Sequence, residues 1–480
     1  MSKVVLAITL FSCIVSANSG SNCTDQVTFD QITPTRELIW HPCYTDYVCA
    51  KLDVPLDYSN PQGTRAAVPI IKIPAQLNGT NEKYQGLLFT NPGGPGNSGI
   101  DFILTMGYST IIPVIPKTYD LVSWDPRGMG YSTPYADCQI PTTRRKSKRA
   151  YGITGPDISS ALYEDQFQTA ILYGAQCSVL IGGPNDAGPH MSTPAVARDA
   201  LSIVDAFAKT KEAKTVANPT DFNYWGFSYG TVIGQTFASL FPDRVGRFAL
   251  DGVIDAEDFY SAQFYSVSRY DDAVMDLFFD YCFVAGPSLC SYYTGSSAND
   301  LKIRFLNLFA QFDVKTAYAE NWDNATTIDQ SLGLVFANIR SIVYSPITGF
   351  PQLAEVLTAY EVAVNNLTID GIVAAGQAGA PPSDTPPGYT PELAEWPLAV
   401  ACSDTANVLY NQTLKNFTYS NARFANESYT GHVGWSFFKI LCTGWSINAT
   451  WVFNGTLGAA TKNPILFVSN TVDPAAPIEK

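Results

Sequence analysis

The sequence predicts an α/β protein, with a mostly parallel central sheet flanked by helices and a helical insert late in the chain. Three observations carry this. Short apolar runs end abruptly in glycine-rich or acidic turns, as buried parallel strands do when function gathers at their carboxyl ends. Helix-like segments lie between those runs, and alternation of strand with helix is the pattern of a parallel sheet. Between about residues 258 and 395 the strand pattern stops, and aromatic residues at helical spacing take over.

The strand-like runs are QGLLFTNPGGPGNSG (Gln85 to Gly99), YDLVSWDPRGMGYS (Tyr119 to Ser132), FNYWGFSYGT (Phe222 to Thr231), RFALDGVID (Arg247 to Asp255) and PILFVSNTVDP (Pro464 to Pro474). STPAVARDALSIVDAFAKT (Ser192 to Thr210) reads as a helix, because Val196, Leu201, Val204 and Phe207 share roughly one face and a Ser-Thr-Pro start suits a helix N-terminus. DDAVMDLFFDYCF and LKIRFLNLFAQF give the insert its helices, and GIVAAGQAGAPPSDTPPGYTP (Gly371 to Pro391) reads as a mobile loop. The sheet-like pattern resumes near the C-terminus, which favours an inserted lid over a separate domain with its own core. The expected organisation is a leader at 1–17, the first part of the core at 18–257, the lid at 258–395 and the remaining core at 396–480.

With 480 residues, 46% apolar and 15% charged, the chain has the composition of a globular protein able to bury a large core. Its 29 basic and 43 acidic residues give a net charge of −14, which disfavours nucleic acid and anionic membrane surfaces as partners. MSKVVLAITLFSCIVSA (Met1 to Ala17) has the lysine, short apolar run and small-residue end of a secretory signal. No other stretch approaches the roughly 20 apolar residues of a spanning helix. Nine N-x-S/T sequons, at Asn22, Asn78, Asn324, Asn366, Asn411, Asn416, Asn426, Asn448 and Asn454, fit a secreted glycoprotein. Of ten cysteines Cys13 falls in the leader, and the other nine in an oxidising compartment predict disulfides. Cys43/Cys49 and Cys282/Cys290 are close enough in sequence to staple loops. Cys138/Cys177 and Cys402/Cys442 complete the pairing offered, although spacing does not fix connectivity, and Cys23 is left over. No CxxC or histidine cluster points to a metal, and no cofactor is expected. The oligomeric state is not legible. RRKSKR (Arg144 to Arg149) reads as a solvated loop.

In GFSYG (Gly226 to Gly230) a serine stands with glycines two positions to either side. A hydroxyl is a poor nucleophile unless a sharp strand-to-helix turn presents it beside a base, and flanking glycines make room for that turn. Ser228 is therefore the candidate nucleophile, with a plain glycine-rich turn as the alternative. Acyl transfer also needs donors for the developing oxyanion. The N–H of Tyr229 is one, and NPGGPGNSG (Asn91 to Gly99) supplies the other, with Gly94 chosen because bare backbone can approach a carbonyl closely. This loop lacks the Gly-Lys-Ser/Thr of a phosphate-binding Walker motif. The acid is expected just after a late strand, where NTVDPAAP puts Asp473. Asp255, Glu257 and Asp258, near the start of the lid, could pair with a substrate ammonium or equally cap a helix.

Taken in order, CAKLDVPLDY (Cys49 to Tyr58), NPGGPGNSG, WDPRGMGYS, GFSYGT, LDGVID and NTVDPAAP resemble the secreted serine peptidases of the tripeptidyl aminopeptidase type, relatives of the prolyl aminopeptidases. The resemblance runs from about residue 43 to the end and is weak only in the lid. It implies an α/β-hydrolase fold with a helical cap, and an exopeptidase that cleaves from the free amino terminus of peptide substrates through a serine acyl-enzyme. It assigns the nucleophile to Ser228, the acid to Asp473, the oxyanion positions to Gly94 and Tyr229, and structural support near the site to Asp125 and Arg127. The family's histidine lies a few tens of residues beyond the acid, whereas the three histidines here, His41, His190 and His432, all precede Asp473. The expectation is a chain that continues past Lys480 with that histidine and a last strand or helix. A substitute base from His432 or His190, or a binding protein without activity, are the alternatives. An esterase on small acyl substrates is the alternative reaction, because elbow and oxyanion hole do not separate ester from amide.

Overall fold

The computed structural model describes residues 27–77, 82–138, 160–264, 270–310, 342–366, 395–416 and 439–477, with single positions 266, 339 and 428. The leader at 1–17, Cys23, the basic run at 144–149, the 371–391 stretch, His432 and the sequons at Asn22, Asn78, Asn324 and Asn426 lie outside the described residues.

Eight strands form one sheet in the order β1-β2-β3-β5-β4-β6-β7-β8. They are β1 (His41–Cys43), β2 (Tyr47–Pro55), β3 (Arg65–Ile73), β4 (Gly86–Asn91), β5 (Tyr119–Trp124), β6 (Phe222–Phe227), β7 (Val245–Asp251) and β8 (Ile465–Val468). The strands from β4 onward are the five apolar runs of the sequence, and they pair in parallel. The first three extend the sheet in antiparallel fashion beyond β5. Sequence reading misses this extension because Pro55 and Pro69 fall inside the two long strands, and proline inside an apolar run argues against a strand.

Side-chain alternation sets the layers. Val68, Ile70, Val122 and Trp124 face one core, while Ile71, Ile73 and Leu121 face a second with Ile100 and Ile103. With both faces covered, β5 is buried at every position. Helix α3 (Thr193–Phe207) starts after Ser192 with Pro194 in its first turn, and buries Val196, Leu201, Val204 and Phe207 as its periodicity requires. Each such side chain contributes roughly 1.5–3 kcal/mol. Helix α4 (Tyr229–Leu240) packs beside α3 on the same face. The shorter elements are α1 (Gly99–Phe102) and α5 (Ala256–Tyr260), and α2 (Ser160–Ile181) precedes α3.

The insert is helical over its described stretches. Its helices α6 (Asp271–Ala285), α7 (Ala298–Ala310) and α8 (Pro346–Asn365) enclose Phe278, Phe279, Phe305, Leu353, Leu357 and Tyr360 in a cluster separate from the sheet's cores. Val472, in the turn after β8, also packs against this cluster. Helix α9 (Glu395–Leu409) rejoins the sheet's main core through Trp396, Leu398 and Val400. Four disulfides join Cys43 to Cys49, Cys138 to Cys177, Cys282 to Cys290 and Cys402 to Cys442, the pairing offered from sequence.

Candidate active site

Strand β6 ends at Phe227 and α4 begins at Tyr229, so Ser228 alone makes the turn, at φ 52° and ψ −124°. A non-glycine residue there costs about 1–3 kcal/mol and persists only where its surroundings hold it. Ser228 N donates to Asp251 O at 3.0 Å, and Ser228 O accepts from Thr231 N at 2.8 Å and Thr231 Oγ1 at 2.6 Å. The flanking glycines are required by space. A Cβ on Gly226 would lie 2.6 Å from Gly230 O, and one on Gly230 would lie 2.8 Å from Asn91 O.

Sheet register brings the other parts to this corner. Asn91 pairs with Gly226, Phe227 with Asp251 and Asp251 with Val468, so β4, β6, β7 and β8 end level with one another. The loop after β4 comes directly against the elbow: a Cβ on Gly93 would sit 2.4 Å from Phe227 O and 2.9 Å from Tyr229 N. Only glycine fits that approach. Gly93 N–H already donates to Asn91 Oδ1 at 2.9 Å. The N–H groups of Gly94 and Tyr229 have no acceptor among the described residues, the second because it opens a helix.

The turn after β8 stands across Gly252 from Ser228. A Cβ on Gly252 would lie 3.7 Å from Ser228 N and 3.8 Å from Ala476 Cβ. Ser469 fixes this turn by donating to Ala476 O at 2.6 Å and accepting from Val253 N at 3.3 Å. Asp473 Oδ1 accepts from Ala475 N at 2.9 Å and Ala476 N at 2.8 Å, whereas Oδ2 has a 3.4 Å contact from Asn470 Nδ2. One carboxylate oxygen is anchored to backbone, and the other can take a further donor such as an imidazole N–H.

Two charged groups brace the corner from behind. Asp125, fully buried, accepts at Oδ1 from Ser98 Oγ (2.5 Å) and Ile100 N (3.1 Å) and at Oδ2 from Tyr131 N (2.9 Å). It pins the far end of the loop after β4, and burial pushes its carboxyl up to about 6 against those bonds. Arg127 pairs with buried Asp199 on α3, Nε to Oδ2 at 2.7 Å, and donates to Leu56 O at 2.6 Å. That joins the turn after β5 to α3 and to the end of β2.

Two of the three acidic residues at the lid entrance make local hydrogen bonds. Asp255 caps α5, accepting from Glu257 N at 3.0 Å and Asp258 N at 3.2 Å. Asp258 accepts from Ser266 N at 2.9 Å and Ser266 Oγ at 2.6 Å, and Glu257 is exposed. Capping, the use sequence set beside ammonium recognition, is what Asp255 shows. His190 has both ring nitrogens engaged, Nδ1 with Thr450 Oγ1 at 3.0 Å and Nε2 with Pro184 O at 3.1 Å. His41 lies on β1, at the opposite edge of the sheet from β8. Sequence reasoning missed Gly93, Asp251 and Gly252, of which only the glycines carried any signal. Among the described residues no group of three or more His, Cys, Asp or Glu could hold a metal, and no helix is long and apolar enough to cross a membrane.

Residues 86–353 match the family model described as alpha/beta hydrolase fold. The chain is 34% identical over 223 residues to the tripeptidyl aminopeptidase of Streptomyces lividans, covering 45% of this chain and 38% of that protein. It is 31% identical over 244 residues to the serine protease Hip1 of Mycobacterium tuberculosis, covering 49% of this chain and 43% of that protein. A 91-residue stretch is 42% identical to carboxylesterase B of the same organism, covering 19% of this chain and 16% of that protein. The chain therefore spans about two fifths of the length of the longer-matching relatives. With a family match over more than half its length and a serine presented between a parallel strand and a helix, the chain belongs to the alpha/beta hydrolase fold family.

Proposed function

We propose that this protein is a secreted serine hydrolase, an aminopeptidase that releases short peptides or amino acids from peptide N-termini. The observation that carries the chemistry is Ser228, held at positive φ where β4, β6, β7 and β8 end together. In this reading Ser228 Oγ attacks the scissile carbonyl carbon and gives its proton to a base. The N–H groups of Tyr229 and Gly94 receive the charge that forms on the carbonyl oxygen. The base hands the proton to the leaving amine, the C–N bond breaks, and the acyl group stays on Ser228. Water then repeats the sequence, releasing the acid and restoring the hydroxyl. Asp473, through Oδ2, orients the base.

Peptide as substrate is supported by the names of the relatives, a tripeptidyl aminopeptidase and a serine protease, at 34% and 31% identity. Secretion is supported by four disulfides and by the exposure of every described sequon, at Asn366, Asn411, Asn416, Asn448 and Asn454. The second reading is a peptide-binding protein without turnover; of the two histidines among the described residues, His190 is engaged elsewhere and His41 sits on the far edge strand.

The test is a fluorophosphonate probe with mapping of the labelled residue, run beside tripeptidyl anilides with free and acetylated amino termini. Labelling of Ser228 with cleavage only of the free-amine substrates supports the aminopeptidase. Cleavage of short-chain nitrophenyl esters with no dependence on a free amine makes it an esterase, and an unlabelled Ser228 makes it a binder.

A further inference from the structure

Helix α9, which returns the chain from the insert, touches both sides of the oxyanion corner. Near its start Pro397 lies against the loop after β4, where a Cβ on Gly96 would stand 2.6 Å from Pro397 N and 2.7 Å from Pro397 Cδ. About two turns later Asp404, 2% exposed, reaches α3. Its Oδ1 accepts from Thr193 N at 2.8 Å and its Oδ2 from Thr193 Oγ1 at 2.5 Å. The same Thr193 hydroxyl is hydrogen-bonded to the hydroxyl of Tyr229, the residue after Ser228. That hydroxyl has one proton; given to Asp404, it leaves the oxygen to accept from Tyr229. Tyr260 of α5, the last helix before the insert, adjoins the cluster: its hydroxyl bonds Thr236 of α4 at 2.7 Å and feels the charge of Asp404.

Burying a carboxylate is costly, and the bonds to Thr193 do not restore its hydration, since burial still pushes the Asp404 carboxyl up to about 7. The ionised group is held against that cost by Thr193, whose hydroxyl leads on to Tyr229. We propose that Asp404 is a positioning residue for oxyanion binding: through Thr193 it clamps Tyr229, and so holds the backbone N–H beside Ser228. This rests on the hydrolase reading and adds a route by which the helices at the two ends of the insert set the geometry at the nucleophile. Asp404 and Thr193 stay away from the reacting atoms, so losing the clamp displaces a donor without changing the substrate's contacts.

The test uses the 480-residue protein with Thr193→Val, which removes the hydroxyl at constant size, Tyr229→Phe, Asp404→Asn and Thr193→Ser. On a short-chain nitrophenyl ester, kcat falls about 10- to 100-fold in T193V with KM held within about twofold, a smaller loss than deleting an oxyanion donor outright. T193S recovers most of the rate, and the T193V/Y229F double variant is no slower than the slower single, because both cut one chain of bonds. Unchanged kcat in T193V and Y229F, additive losses, or a loss that T193S does not rescue overturns the clamp. If the unmutated protein neither turns over ester nor labels at Ser228, the hydrolase reading has failed, and amide exchange judges the clamp alone. Exchange at residues 228–232 then quickens at least about tenfold in T193V and D404N but not in T193S. Equal exchange in all variants overturns it.

Discussion

Asp125 and Asp473 both follow a parallel strand at the carboxyl edge of one sheet, yet the structure treats them in opposite ways. Asp125 is fully buried, with both oxygens taken by Ser98, Ile100 and Tyr131. Asp473 is half-buried, with one oxygen on the backbone of its own turn and the other, among the described residues, held by nothing closer than 3.4 Å. A buried carboxylate with both oxygens engaged holds loops together. One with a more open oxygen, in a turn that faces the serine elbow across Gly252, has room for a further donor. Saturation of the carboxylate, more than its place in the sheet, distinguishes the two.

Exchanging each carboxylate for its amide sharpens that contrast. Asp473→Asn is expected to lower kcat by about 10⁴ while leaving the melting temperature nearly unchanged, read by anilide turnover and calorimetry. The bracing behind the corner should respond in stability instead. Asp199→Ala strands Arg127 as an unpaired buried charge, and is expected to cost about 3–5 kcal/mol in denaturant unfolding. Asp125→Asn turns a donor toward one of the N–H or O–H groups that its carboxylate accepts from, for about 1–3 kcal/mol, with activity falling only as the loop after β4 loosens. Loss of activity at full stability in Asp125→Asn, together with unfolding of Asp473→Asn, would break the comparison.

The smallest effect is one of pH. Asp125 and Asp404 are raised from 3.8 to about 6 and about 7, the first facing Ser98, Tyr131 and Asp101, the second facing Thr193, Tyr229 and Tyr260. Both bind protons more tightly folded than unfolded, so their contribution is fully present below the unfolded value and is lost as pH rises through 6 and 7. Urea midpoints measured from pH 4 to 8 should therefore fall with pH, and Asp404→Asn should flatten the upper part of that fall.

Strands β4 and β5 were legible because a strand covered on both faces is a continuous apolar run, β8 by the same kind of run although Leu466, Phe467 and Val468 are exposed, and the elbow because its geometry excludes side chains at Gly226 and Gly230. Strands β2 and β3 were hidden by their prolines. The insert's separate cluster was hidden because aromatics at helical spacing look the same whether they pack on one another or on a sheet. Asp404 carried no signal, since its partner Thr193 lies 211 residues away and only the fold brings them together.

The four disulfides close short spans, of 6, 39, 8 and 40 residues, and none of them ties the chain before the insert to the chain after it. The two halves of the hydrolase body are stitched by pairing of β7 with β8, by α9 in the main core and by Asp404 on Thr193. Cleavage once within the insert, outside the loop that Cys282–Cys290 closes, would therefore leave a two-piece molecule held by non-covalent complementarity alone, and dilution or mild denaturant, not reductant, would take it apart.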